Sequence, residues 1–160
     1  MANTAEQNIN MKKFIVYWLP PIAWMAFIFP TNESLNSEST SFVIVPVLKW
    51  LLPSAGQATI DTLHAVIRKF GHFFSYALLA FLLLRAFRGK SSIWRYQWAF
   101  YAGLIAIGYG LIDEYAQTFI QSRTGSLYDW LIDSSGVIVM MGIISIKKAK
   151  NYSKYDQLQQ

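Results

Sequence analysis

Long apolar runs, each closed at one end by basic residues, dominate this chain. Phe14 to Pro30 follows Lys12-Lys13, and a second apolar stretch ends at Arg85, Arg88 and Lys90. A third begins after Arg95, and a fourth gives way to Lys147, Lys148, Lys150 and Lys154. A soluble domain must spread polar groups over its surface, and roughly a quarter of its residues are charged. Here only 14% are charged, against 54% hydrophobic and 16% aromatic, a balance that suits a bilayer. The expected fold is all-α, an integral membrane helical bundle of about four transmembrane helices, because a helix satisfies its own backbone polar groups in hydrocarbon. The chain has no cysteine, which excludes disulfide frameworks, thiolate nucleophiles and Cys-based zinc sites.

Along the chain, residues 1–11 and 151–160 are polar tails expected to be disordered, which leaves a transmembrane domain over residues 14–146. The first run has no A-x-A-like site after it and is expected to stay as a span, bent at Pro20-Pro21. A polar loop over residues 31–41 leads to Phe42–Leu52, which is too short to cross, since crossing takes about 20 residues. That segment is expected to be re-entrant or interfacial. Ser54 and Gln57 have capping-box spacing and predict a helix from near Ala55 to about Phe87. At 1.5 Å per residue it would be roughly 50 Å long, so its first turns should stand outside the hydrocarbon, with His64 on their surface. The third and fourth spans are expected over Gln97–Ile120 and Leu127–Ile146. Gly103, Gly108 and Gly110 are expected as close-packing points between helices. Trp and Tyr near the span ends are expected as interfacial anchors.

The net charge is +5, but the basic residues do not form the single solvated face with aromatic platforms that nucleic-acid binding requires. Nucleic acid is therefore excluded as a partner. With four spans, all three basic clusters fall on one side of the membrane, and the positive-inside rule makes that side the cytoplasm. The expectation is a multi-pass protein of the cytoplasmic membrane with both termini in the cytoplasm.

Ionisable residues within spans are costly and mark either function or an internal pair. The second span carries His64, Arg68, His72 and Tyr76 at steps of four, with Lys69 three before His72. The third carries Asp113, Glu114 and Gln117, Arg123 lies in the turn that follows, and the fourth carries Asp129 and Asp133, with Gly136 further on. Steps of three and four share a helix face. Given the alternating span directions, all three stretches deliver their polar groups to the outer half of the membrane.

The segments RKFGHFFSYALL (Arg68–Leu79) and IDEYAQTFIQSRTGSLYDWLIDSSG (Ile112–Gly136) together resemble the VanZ-like family of small bacterial membrane proteins. In that family a Lys-x-x-His-x-x-x-Tyr pattern precedes Asp-Glu-x-x-Gln, an Arg, and Asp-x-x-x-Asp/Asn-x-x-Gly. The matching positions are Lys69, His72, Tyr76, Asp113, Glu114, Gln117, Arg123, Asp129, Asp133 and Gly136. The chain departs from the pattern at Ala116, where many members have His, and at Gln121-Ser122, where many have Pro-Gly. The family takes its name from a protein associated with resistance to teicoplanin, a glycopeptide directed at cell-wall precursors. The resemblance implies a role in the cell envelope and does not specify a reaction.

Two interpretations of the polar residues follow. They form either interhelical polar glue, with Lys69 and Arg123 satisfying the acids, or an outward-facing pocket for a polar ligand. The partner expected for such a pocket is a membrane lipid headgroup or a cell-wall precursor, with no cofactor. Lys69, His72 and Arg123 would meet anionic groups, and Asp113, Glu114, Asp129 and Asp133 would orient those bases or accept ligand hydroxyls. One alternative is a metal-dependent enzyme acting on a phospholipid or polyprenyl-phosphate. Its motif support is that Gly125-x-x-x-Asp129-x-x-x-Asp133 is similar to half of the metal motif of CDP-alcohol phosphotransferases, whose Asp-x-x-Asp-Gly half is missing here. The other alternative is an ion- or proton-coupled transporter, which is weakened because the cytoplasmic halves of the spans are nearly all apolar.

Overall fold

The computed structural model describes residues 11–34, 37–91, 93–119 and 126–157, with backbone only at 30–34, 37–40 and 150–157. Those residues form six helices and no strand: α1 (11–17), α2 (Leu19–Ser34), α3 (Ser37–Leu51), α4 (Gln57–Arg88), α5 (Tyr96–Gln117) and α6 (Leu127–Gln157). α4, α5 and α6 pack against one another, most extensively α4 on α6, while α2 and α3 lie against α4.

The first apolar run is interrupted, as its prolines require. Helix α1 gives way to a turn at Trp18 and resumes at Leu19. Pro20 and Pro21 have no N–H to donate to the carbonyls of Val16 and Tyr17, so the ladder loses two successive bonds there. The flanking bonds, from the Trp18 N–H to the Phe14 carbonyl (2.8 Å) and from the Ile22 N–H to the Trp18 carbonyl (3.3 Å), keep the two pieces joined.

Several expectations are corrected. The polar loop over 31–41 is largely helical, since α2 runs to Ser34 and α3 starts at Ser37. The capping box does not form. Gly56 is the extended residue before α4, with no side-chain cap, and the Gln57 amide instead donates to Asp61 Oδ1 at 2.8 Å. His64 is buried, one turn after the fully buried Ile60. Helix α3 packs against α4, which the position of His64 on an outer turn does not reveal. Of the expected disordered tail, residues 151–157 continue α6 as helix.

The core follows helical spacing. Tyr76, Leu79, Ala80, Leu83 and Leu84 of α4 meet Ala99, Ala102 and Ala106 of α5, Val137 of α6 and Ile28 of α2. The alanines bring α5 close to its neighbours. Gly136 brings α6 closer still to α4, where a Cβ at position 136 would overlap the Phe73 carbonyl oxygen. Gly110 packs edge-on to the Tyr76 ring, which would lie 3.2 Å from an added Cβ, and an added Cβ at Gly103 would meet Met141 and Val137 at ordinary contact distance. Gly108 has nothing within 4 Å of its Cβ position among the described residues and is no packing point between them.

Partly buried donors on aromatic side chains then fix the helices in register. The Trp24 indole donates to the Ser75 carbonyl (3.0 Å), Tyr109 Oη to the Met25 carbonyl (2.7 Å) and the Trp130 indole to the Ile107 carbonyl (3.1 Å). These three residues therefore join helices. Replacing Trp130 by phenylalanine should lower thermal stability in detergent by about 1 kcal/mol, the usual scale of an interhelical bond in a membrane protein. Unchanged melting would mean the bond is of no consequence.

Large apolar side chains face outward, among them Phe70 (58% exposed) and Phe74 (62%) on α4, Ile112 (61%) on α5 and Ile138 (63%) on α6. That surface suits lipid better than water. Among the described residues, α4 and residues Leu127–Ala149 of α6 are the two helices long and apolar enough to cross a membrane, by length and composition. α5 has 22 residues, but its glycines, tyrosines and acidic end dilute its apolar character, and the apolar part of α2, Leu19–Phe29, is short.

Candidate functional site

The contacts set the directions of the helices. Ile107 meets Trp130 and Gly103 faces Val137, so α5 and α6 run antiparallel. His72 meets Asp133, and Leu84 and Arg85 share a cavity with Ile144, so α4 and α6 run parallel. Trp24 on Ser75 and Trp18 against Phe87 set α2 antiparallel to α4. Two opposed ends result. One gathers Lys12, Lys13, Arg85, Arg88 and Lys90, with Ile144 one turn before Lys147 and Lys148. The other holds the polar side chains of α4, α5 and α6, about 20 Å further along α4 at 1.5 Å per residue.

At that second end the helices meet through hydrogen bonds. Tyr76 Oη donates to Asp113 Oδ2 at 3.0 Å, and the Gln117 amide donates to the same oxygen at 3.2 Å. Glu114 Oε2 accepts the Ser126 backbone N–H at 2.8 Å, which anchors the entry to α6. His72 Nδ1 lies 3.5 Å from Asp133 Oδ1. Tyr76, Asp113, Glu114, Gln117 and Asp133 are all buried, at 5% exposure or less, whereas the His72 side chain is 16% exposed. His72 is thus the most exposed of these six residues.

The groups are not equally engaged. Asp113 takes two donors and so couples α4 to α5. Asp133 is 1% exposed and neither of its oxygens accepts a hydrogen bond among the described residues, so His72 is its nearest counterpart. The neighbouring Ser134 hydroxyl is also buried, and it has no hydrogen-bond partner among the described residues. A buried carboxylate costs free energy unless it is hydrogen-bonded or paired, so Asp133 keeps acceptor capacity in reserve.

Six of the nine sequence-derived positions therefore come together: His72, Tyr76, Asp113, Glu114, Gln117 and Asp133. Asp129 is half-buried one turn before Asp133. Lys69 is exposed and makes no hydrogen bond or ion pair among the described residues. Arg123 lies outside the described residues. The donors that satisfy Asp113 and Glu114 are neutral groups, His72 only lies near Asp133, and Lys69 is not among the donors. No group of three or more His, Asp or Glu side chains is placed to hold a metal ion among the described residues.

Sequence patterns missed the contributions of Ser126, Trp130 and Gly110. Ser126 acts through its backbone N–H, which carries no side-chain signature. Gly110 was singled out only as a packing residue, whereas it also seats the Tyr76 ring that bonds Asp113.

Apolar helices with an outward hydrophobic surface, joined by buried carboxylates, define a helical membrane protein. The chain belongs to the VanZ/LLP1 family, which it matches over residues 14–148. Neither the curated proteins nor the solved structures gave a match.

Proposed function

We propose that this chain is a four-span protein of the bacterial cytoplasmic membrane, with both termini in the cytoplasm, whose polar junction faces outward. In this proposal the junction binds the headgroup of an envelope lipid or a cell-wall precursor. Asp133 carries the proposal: a buried carboxylate with no hydrogen bond to either oxygen among the described residues, beside a partly exposed histidine. Residues that only glued helices would be expected to have all their polar atoms engaged. The orientation is supported by the basic residues at the opposite end of the bundle, the arrangement the positive-inside rule favours.

The proposed roles follow from this engagement. Asp113 and Glu114 hold the helices, with Tyr76 and Gln117 as donors. His72 and Asp133 take the ligand's polar groups, and Asp129 extends the acidic edge. Lys69 and Arg123 meet its anionic groups. A link to glycopeptide resistance would follow if the bound headgroup belongs to the precursor that teicoplanin targets.

The test is native mass spectrometry of the full chain against a polyprenyl-diphosphate-linked cell-wall precursor and a phospholipid series. His72→Gln and Asp133→Asn should abolish the adduct while the protein stays folded, and Lys69→Ala and Arg123→Ala should weaken it about tenfold, on the scale of one lost charged contact. Full retention in His72→Gln and Asp133→Asn would remove the binding proposal.

The same pair favours one alternative, an enzyme acting on a phospholipid or polyprenyl-phosphate. His72 would be the general acid or base and Asp133 the group that orients it. Headgroup or phosphate release from reconstituted lipid, lost in His72→Gln, would select that alternative.

A further inference from the structure

At the basic end of the bundle, a cavity of about 510 Å³ opens between α1 and the turn after α4. Its walls include Lys13, Tyr17, Trp18, Gly89 and Lys90. Tyr17 separates it from a second cavity of about 390 Å³ that reaches Arg85, Arg88 and Phe81. The Arg85 guanidinium lies 5.4 Å from the centre of the Tyr17 ring, which holds that ring between the two spaces. Gly89 closes α4 at φ 54, a left-handed backbone conformation that glycine tolerates, and this turns Lys90 back toward α1.

Charge and shape here point to one kind of occupant. Lys12, Lys13, Arg85, Arg88 and Lys90 surround the two cavities and a smaller neighbouring one, and among the described residues no acid lines any of them. Asp61, Asp113, Glu114, Asp129 and Asp133 lie on the outer turns of α4 or at the polar junction, away from this end. Phe14 (53% exposed) and Phe81 (42% exposed) continue the walls as apolar surface. We infer that this end of the bundle holds an anionic phospholipid. Its phosphodiester is met by Lys13 and Lys90, and its acyl chains run along the aromatic faces of α1 and α4. Basic pockets between transmembrane helices take anionic headgroups in this way. The site shares no residue with the polar junction and does not depend on what that junction binds.

The full chain, purified in detergent, would be offered phosphatidylglycerol and phosphatidylcholine with identical acyl chains, and retained lipid read by native mass spectrometry. Phosphatidylglycerol should be retained preferentially. Lys13→Gln combined with Lys90→Gln should lower its retention about tenfold or more, given what each cation contributes near an anionic headgroup. Lys147→Gln combined with Lys148→Gln removes the same charge from the same end of the bundle and should change retention less than about twofold. Circular dichroism and gel filtration confirm that both double variants are folded. The inference is overturned if the two lipids are retained equally or if both lysine pairs have the same effect. It is also overturned if inorganic phosphate displaces the lipid at matching concentration.

Discussion

Gly136→Ala is expected to be the most damaging single-methyl change in this protein. The added Cβ would overlap the carbonyl oxygen of Phe73, which is backbone and cannot rotate away as a side-chain tip could. The only relief is to move α6 away from α4, the most extensive helix contact in the fold. Overpacking in well-packed cores costs about 1–3 kcal/mol, and a clash with backbone belongs at or above the top of that range. The separation would also pull Asp133 from His72, because Asp133 lies one turn before Gly136 on α6. Gly142→Ala is the matched control on the same helix, with nothing within 4 Å of its Cβ position among the described residues. It should be neutral or slightly stabilising, since alanine is the better helix former by about 1 kcal/mol. Thermal unfolding in detergent, followed by tryptophan fluorescence, separates the two. Equal melting temperatures would show that the helices are not this close.

The second large effect is expected at Asp113. Its Oδ2 accepts from both Tyr76 and Gln117, and all three side chains are buried. Asp113→Ala removes the acceptor and leaves two buried donors without it, at a cost of about 2–3 kcal/mol or more. Tyr76→Phe removes one donor and leaves Asp113 bonded to Gln117, so about 1 kcal/mol is expected. Asp113→Asn keeps an acceptor for Tyr76 and should fall between them. Once Asp113 is alanine, Tyr76→Phe should cost almost nothing, because the hydroxyl no longer has that partner. Additive losses in this double-mutant cycle would mean that the bond is not what joins α4 to α5 here.

The sequence patterns differed in how much they revealed, for physical reasons. Carboxylates, histidine and tyrosine within apolar runs stand out because burying them is costly, and six of the nine candidate positions meet at one junction. Lys69 did not join them. Spacing of three from His72 places it on a neighbouring arc of the helix, but only packing decides which part of that arc is covered. His64 erred in the opposite direction, since an isolated helix extension gives no sign that α3 will fold back against it. The capping spacing at Ser54 failed because Gly56 already supplies an extended entry to α4 and Gln57 bonds within the helix to Asp61.

What the sequence determined by itself was the helical class, the boundaries of α4 to within two residues, the break near Pro20-Pro21 and the family. These depend on composition, on local hydrogen-bond capacity and on spacing along one chain, all of which are written in residue order. Tertiary structure decided which acid spends its hydrogen bonds on holding helices and which keeps them in reserve. Asp113 and Asp133 look alike as intramembrane aspartates, yet one accepts two donors and the other faces only a histidine. That difference arises from how far α4 and α6 approach at Gly136 and from α5 bringing Asp113 to the Tyr76 hydroxyl, distances between segments that no local pattern encodes.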